Sequence, residues 1–180
     1  MWYGAQLEAG AFATSYIPTA AATVTRAADV MTFPSSGNVL ATAITVFSRV
    51  TSLSGAANQR VLGINDGTTN NRNLDLYFGT ATQVAAFGNN AGVTQFNLAP
   101  ASGSISTYVP VRVAAVAATN YANCYLNGIG GTADTSVTPP ASPTQIEIGA
   151  LVGSNQGALC LRDARIWQRV LSDSQIASIT

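Results

Sequence analysis

The chain has 180 residues, 47% apolar and only 9% charged, and its eight basic and eight acidic residues cancel to a net charge of zero. Every basic residue is arginine and histidine is absent, which removes the usual general base and the commonest transition-metal ligand and so excludes triad hydrolases and zinc enzymes. Zero net charge excludes a basic nucleic-acid footprint, no run approaches the ~18 to 20 apolar residues of a membrane span, and the length suits one core plus a short appendage that needs no staple.

In chain order, residues 1–36 read as a connector, the end of a preceding module plus a linker, bounded by Ser35-Ser36-Gly37. Met1 directly before Trp2 reads as a start placed within a longer polypeptide. The Ala-rich stretch 19–28 invites a helix, but Pro18 and the alternating Thr23-Val24-Thr25 favour extended chain. Across 37–180, period-two alternation recurs in short runs between Gly, Asn, Ser and Pro clusters, the pattern of an all-β sandwich. In 39–50, Leu40, Ile44, Val46 and Val50 share a face with Thr42 and Ser48, while Ala41, Ala43, Thr45, Phe47 and Arg49 share the other. Neither face is strongly charged, so this strand is covered on both sides or lies centrally. Further strands are predicted at 60–64, 73–78, 82–87, 94–98, 109–118, 123–126, 144–148 and 159–167.

Turn chemistry agrees. Asn65-Asp66-Gly67 and Asn127-Gly128 tolerate the positive φ of tight antiparallel connections. Residues 134–143, with Pro139, Pro140 and Pro143, read as an extended surface loop. One helix is predicted near the C-terminus, with Ser172 as N-cap, Gln175 three residues on, and Ile176 and Ile179 as an apolar face packed on the end of the sandwich. Cys124 and Cys160 form no CxxC pair and are expected as buried free thiols. Around Arg162-Asp163, Leu161, Ala164 and Ile166 fall out of alternation, and a bulge there would restore a common inward face.

Two resemblances add context. Trp2, Gly4-Ala5-Gln6-Leu7-Glu8, Ser15-Tyr16-Ile17-Pro18-Thr19 and Thr25-Arg26-Ala27-Ala28-Asp29 resemble a segment common in bacteriophage tail-fibre and other virion structural proteins, where it closes one β-rich module and leads into the next. Tyr125-Leu126-Asn127-Gly128, then the apolar-acidic-apolar run ahead of Leu171-Ser172, resemble the concanavalin A-like, laminin-G-like jelly roll. The resemblances imply a two-sheet antiparallel jelly-roll sandwich over 37–180 in a virion-exterior protein. Its implied function is non-catalytic: receptor binding by a phage tail fibre or spike, through a host-surface glycan. A structural or decoration protein that mediates subunit assembly is the alternative, and a glycan hydrolase or lyase the third reading. Other virion subunits and a homotrimer are the partners implied; the chain itself carries no coiled-coil heptads.

Candidate chemistry follows from the same segments. A glycosidase normally needs two carboxylates flanking the bond, yet the only glutamates are Glu8, in the connector, and Glu147, alone in Gln145-Ile146-Glu147-Ile148. Catalysis is not expected. Sugar sites combine amides, carboxylates and arginine with an aromatic face on rigidly held loops. Asn65, Asp66, Asn70, Asn71 and Arg72, followed by Tyr77, carry those groups, as do Asn89 and Asn90 beside Phe87. Asn-rich loops equally serve solubility in a chain without lysine, and that alternative stays open. Trp167 and Tyr125 read as packing residues, with sugar stacking as the other role. No cofactor is required; calcium, which many laminin-G-like domains hold, has Asp66 as its lead candidate ligand, although a solvated Asx turn explains that loop as well.

Overall fold

The computed structural model describes residues 31–180. The predicted connector up to residue 30 therefore lies outside the described residues. Among those described, the chain runs β1 (Met31–Pro34), β2 (Ala43–Ser52), β3 (Gln59–Asn65), β4 (Arg72–Phe78), β5 (Val84–Asn90), β6 (Val93–Leu98), β7 (Pro110–Ala118), β8 (Tyr121–Leu126), β9 (Ile129–Gly130), β10 (Gln145–Ile148), β11 (Leu159–Trp167) and helix α1 (Asp173–Ile179). Two antiparallel sheets result, ordered β1-β10-β3-β4-β5-β6 and β11-β2-β7-β8-β9. This is the predicted jelly-roll sandwich with its one short helix. The first sheet begins at Met31, inside the span read as connector, where Phe33 pairs with Ile146.

Alternation explains the core. Ile44, Val46 and Val50 of β2 face Leu62, Ile64, Leu74, Leu76, Phe78, Val84 and Phe96 of the other sheet, with Val113, Ala115, Ala117 and Leu126 beside them. Burying each large apolar side chain contributes about 1.5–3 kcal/mol. The opposite face of β2 is covered too, as its lack of charge requires: Phe47, Ala114, Val116 and Tyr125 form a second cluster with Leu171 and Ile176. Helix α1 thus lies on the outer face of the five-stranded sheet rather than on the sandwich end, because that face offers the apolar seat. Its predicted capping box forms, with Ser172 Oγ accepting from the Gln175 amide and the Gln175 side chain accepting from the Ser172 amide. Trp167 and Tyr121 pack at the edge of this cluster.

Local chemistry shapes the connections. Asn127 and Gly128 take φ values of 48° and 85°, and Asn127 Oδ1 accepts from the Arg112 amide at 2.9 Å. The register of β11 on β2 shifts between Leu161 and Asp163, so the predicted bulge is present and Leu161 and Ile166 both pack on the core.

Three expectations need correction. Residues 39–42 are turn rather than strand, since Val39 and Ala43 donate to the Ser35 and Leu40 carbonyls, and Leu40 is exposed instead of facing the core. The loop over 134–143 is not wholly on the surface: Val137 is fully buried in the core, and Asn73 Nδ2 donates to the Pro140 carbonyl at 2.7 Å. Of the two thiols only Cys124 is buried, which pushes its pKa up to about 12; Cys160 sits exposed on the outward side of edge strand β11.

Gly88 supplies a stability test. A Cβ there would overlap the Phe96 ring, which fills the core directly opposite. Gly88→Ala is expected to destabilise the domain by about 1–3 kcal/mol through overpacking, read as a lower urea midpoint; an unchanged or higher midpoint would show that the ring has room to move.

Candidate functional site

The outer face of the six-stranded sheet carries the polar residues that β3, β4 and β5 turn away from the core. Inward Leu62 and Ile64 would send Arg60 inward by strict alternation, and inward Leu74 and Leu76 would do the same to Arg72. Two register shifts reverse this: Arg60 pairs with Tyr77 while Leu62 pairs with Leu76, and Ile64 pairs with Leu74 while Asn65 pairs with Arg72. Val61 and Asn73 are the extra residues. Bulges re-aim side chains in this way. Val61 drops into the core, Asn73 turns to the Ala41 and Pro140 carbonyls, and both arginines emerge beside Asp75.

Asp75 is fully buried. Its Oδ2 accepts from Arg60 Nη1 at 2.7 Å and from Arg72 Nη1 at 3.5 Å. Each guanidinium also lies over a ring, Arg60 4.1 Å from the Tyr77 centroid and Arg72 4.8 Å from that of Phe87. Asp75 Oδ1, Arg60 Nε and Asn89 Oδ1 are buried with no hydrogen-bond partner among the described residues. Burial pushes the Asp75 carboxyl up to about 6, against the pull of Arg60 and Arg72 and with a small added repulsion from Glu147. Burial likewise raises the Tyr77 phenol, again opposed by Arg60.

Across Gly63, which pairs with both Asp75 and Glu147, the second carboxylate is held differently. Glu147 accepts from Asn65 Nδ2 at 2.7 Å, the Val152 amide at 2.8 Å and the Gly153 amide at 3.3 Å. These bonds fasten a tight loop in which Val152 adopts a φ of 46°, a region unfavourable for a β-branched residue. Gly63 leaves a shallow floor between the carboxylates: an added Cβ would lie 3.7 Å from Asn65 Nδ2 and 3.8 Å from Asp75 Oδ1.

The residues predicted from sequence fall in two places. Asn65, Arg72, Tyr77 and Asn89 belong to the strands of this face. Asp66, Asn70 and Asn71 form the β3–β4 hairpin loop. There Asp66 Oδ1 accepts from the Thr68 amide and hydroxyl at 2.9 and 2.6 Å, and Asp66 Oδ2 accepts from Asn71 Nδ2 at 2.8 Å. Slight burial pushes the Asp66 carboxyl upward, but the hydrogen bonds from Thr68 and Asn71 win and hold it below its usual value. Asn71 Oδ1 takes the Ala91 amide, the Asn70 carbonyl takes the Gly92 amide and Asn89 Nδ2 donates to the Thr69 carbonyl, so the β3–β4 and β5–β6 loops are tied together. Asn90 instead reaches the Thr138 carbonyl. Calcium fits this loop poorly: Asp66 is its single carboxylate, both oxygens are engaged within the loop, and among the described residues no three His, Cys, Asp or Glu side chains gather as metal ligands.

From the sequence, Glu147 is weighed only as a lone carboxylate, and Arg60 and Asp75 are not singled out as binding residues. Asp75 had a readable signal, since Leu74-Asp75-Leu76-Tyr77 alternates and places Asp75 with Tyr77; Arg60 had none, because its orientation depends on the bulge. Chemically, the assembled face offers planar guanidinium donors, a buried carboxylate acceptor, amides and ring edges. Arg72, Tyr77 and Phe87 are its partly exposed members.

No protein-family model and no curated protein matches the sequence. Solved structures do share the fold. The chain aligns with a sialidase of Trypanosoma rangeli at 18% identity and a TM-score of 0.58, covering 77% of this chain and 22% of that one. It aligns with the Ruminococcus gnavus IT-sialidase CBM40 bound to α2,3-sialyllactose at 17% identity and a TM-score of 0.61, covering 81% and 86%. With domain 4 of AbnA, a GH43 extracellular arabinanase of Geobacillus stearothermophilus in complex with arabinotriose, identity is 14% and the TM-score 0.60, covering 79% and 68%. The chain thus spans about a fifth of the full-length sialidase it resembles.

The raised Asp75 pKa sets a pH test. Its folded value of about 6 lies above its unfolded value, so the native state binds the extra proton and stability from this group falls as pH rises from about 4 to about 6. The stability difference between wild type and Asp75→Asn, in which the other carboxylates cancel, is expected to fall across that window when followed by urea unfolding. A difference that stays level or rises with pH would contradict the assignment.

Proposed function

We propose that this chain is a non-catalytic glycan-binding module whose ligand seats on the outer face of the six-stranded sheet, over Arg72, Tyr77, Phe87 and the Gly63 floor. One observation carries the reading. Among the described residues the buried Asp75 carboxylate keeps an unpartnered oxygen beside two ring-stacked guanidinium groups, and a fold does not retain such an orphan without cost. A sugar's vicinal hydroxyls both donate and accept, so they complement the Tyr77 hydroxyl and the partly exposed Arg72 guanidinium, which Asp75 braces from beneath. Two solved structures with this fold, one bound to α2,3-sialyllactose and one in complex with arabinotriose, support a glycan as the ligand class.

Against catalysis stands the state of the two carboxylates on this face. Glu147 is occupied by three donors that shape a loop, and Asp75 is committed to arginines. The finer setting is proposed from residues 4–30: their resemblance to phage virion segments makes the module the host-attachment domain of a tail fibre or spike, on the virion exterior, within a homotrimer.

A second reading, an architectural module, is favoured by the open edge of the sandwich between β1 and β11. Met31 and Phe33 are 54% and 46% exposed there, beside an apolar groove of about 350 Å³ lined by Phe33, Leu62, Ile146, Ile148, Ala164 and Ile166. An assembly contact would cover it.

Glycan-array screening followed by calorimetry tests the first reading. Arg72→Ala is expected to weaken the best ligand at least tenfold, the loss of one charge-assisted hydrogen bond of about 1.5–3 kcal/mol, in a protein that melts at a lower temperature but stays folded because Arg60 still pairs with Asp75. Absence of binding to every array glycan and to host cells would overturn it. Under the architectural reading, sedimentation would instead show oligomers that Phe33→Ser dissociates.

A further inference from the structure

The outer face of the five-stranded sheet holds a second polar surface. Leu171 and helix α1, through Ile176, cover one half of that face. The other half, around the end of β2, stays open and is rich in arginine. Arg49 of β2 pairs in register with Arg112 of β7, and on the other side of β2 it pairs with Asp163 of β11. Arg162, the extra residue of the β11 bulge, and Arg165 are exposed beside them.

These charges are poorly neutralised. Asp163 is engaged by Arg165, at 2.7 Å to Nη2 and 3.2 Å to Nε. Among the described residues Arg49 and Arg162 meet no carboxylate within salt-bridge distance, and Arg112 Nη1 reaches only the Thr180 carbonyl, at 3.1 Å. Like charges directly opposite on neighbouring strands are destabilising. A chain with eight arginines and zero net charge nevertheless concentrates four of them here.

Tyr108 adds a second observation at the same end. Its amide donates to the Ser52 carbonyl at 2.8 Å, two residues ahead of β7. It adopts a φ of 65° with its side chain 62% exposed. A bulky residue in that region is strained, and exposed strain of this kind points to function.

We propose that this face binds a carboxylated polysaccharide, with carboxylates on Arg49 and Arg112, whose Cα atoms stand about 5 Å apart across neighbouring strands, and a sugar ring against Tyr108. Guanidinium forks match carboxylates in geometry as well as charge. Nucleic acid fits less well, because a net charge of zero and a pI of about 6.1 supply no extended basic field. The surface is separate from the Asp75 face, and the proposal does not rest on that reading.

Polygalacturonate is the probe, in affinity electrophoresis and calorimetry at low salt. Wild type is expected to bind it with an affinity that falls as salt rises and to ignore dextran. Arg49→Thr/Arg112→Thr, exposed changes to a good strand former, is expected to weaken binding at least tenfold with a urea midpoint no lower than that of wild type. Tyr108→Ala weakens it severalfold, and Arg169→Thr, the loss of one charge elsewhere, leaves it intact. Lack of wild-type binding, equal binding by the double variant, or tighter binding of a single-stranded polynucleotide would each overturn the proposal. Neither substitution of the double variant touches the Asp75 face, so neutral-glycan binding there reports on that site alone.

Discussion

A carboxylate without water must be satisfied by the protein, and Asp75 imposes that requirement on the six-stranded sheet. Its strand position is fixed by Leu74 and Leu76, which must enter the core. The compensating charges must therefore come to it, and the chain brings them by breaking alternation on both sides, at Val61 and at Asn73. Each bulge also serves the core or the loops: Val61 becomes a core residue, and Asn73 secures the Pro140 loop that carries Val137 inward. Charge satisfaction, core packing and loop placement are coupled here through two extra residues.

The two outer faces answer different demands. On the five-stranded sheet, Phe47, Ala114 and Val116 are apolar and a helix covers them, while the half beyond the helix carries arginines and stays open. On the six-stranded sheet, polar residues are held by one another: Glu147 by Asn65 and loop amides, and Asp75 by arginines stacked on rings. Such a network rigidifies a surface, and a surface fixed in advance loses less entropy when it takes a ligand.

What could be read from the sequence was whatever obeyed a local rule. The alternation of β2, the Asn127-Gly128 turn, the Ser172–Gln175 capping box and the β11 bulge each carry their signal within a few residues. Features set by distant partners were not readable. The seat of α1 depends on which sheet face is apolar, and the 39–42 turn depends on backbone bonds to Ser35 and within the turn. At the candidate site, the Asn-rich loops were conspicuous by composition, yet Asp66 bonds within its own loop and Asn70 and Asn71 tie that loop to the β5–β6 loop. The less conspicuous Arg60 and Asp75 meet across strands because of parity changes that composition does not encode.

The central claim is that a glycan sits on the Asp75 face. Two-dimensional NMR of the isotope-labelled protein, titrated with the tightest-binding glycan from the array, addresses it most directly. The account predicts that the Gly63, Tyr77 and Phe87 amides and the Nε–H groups of Arg60 and Arg72 shift with a shared saturation curve. Saturating shifts confined to other surfaces, with these signals unmoved, would contradict it.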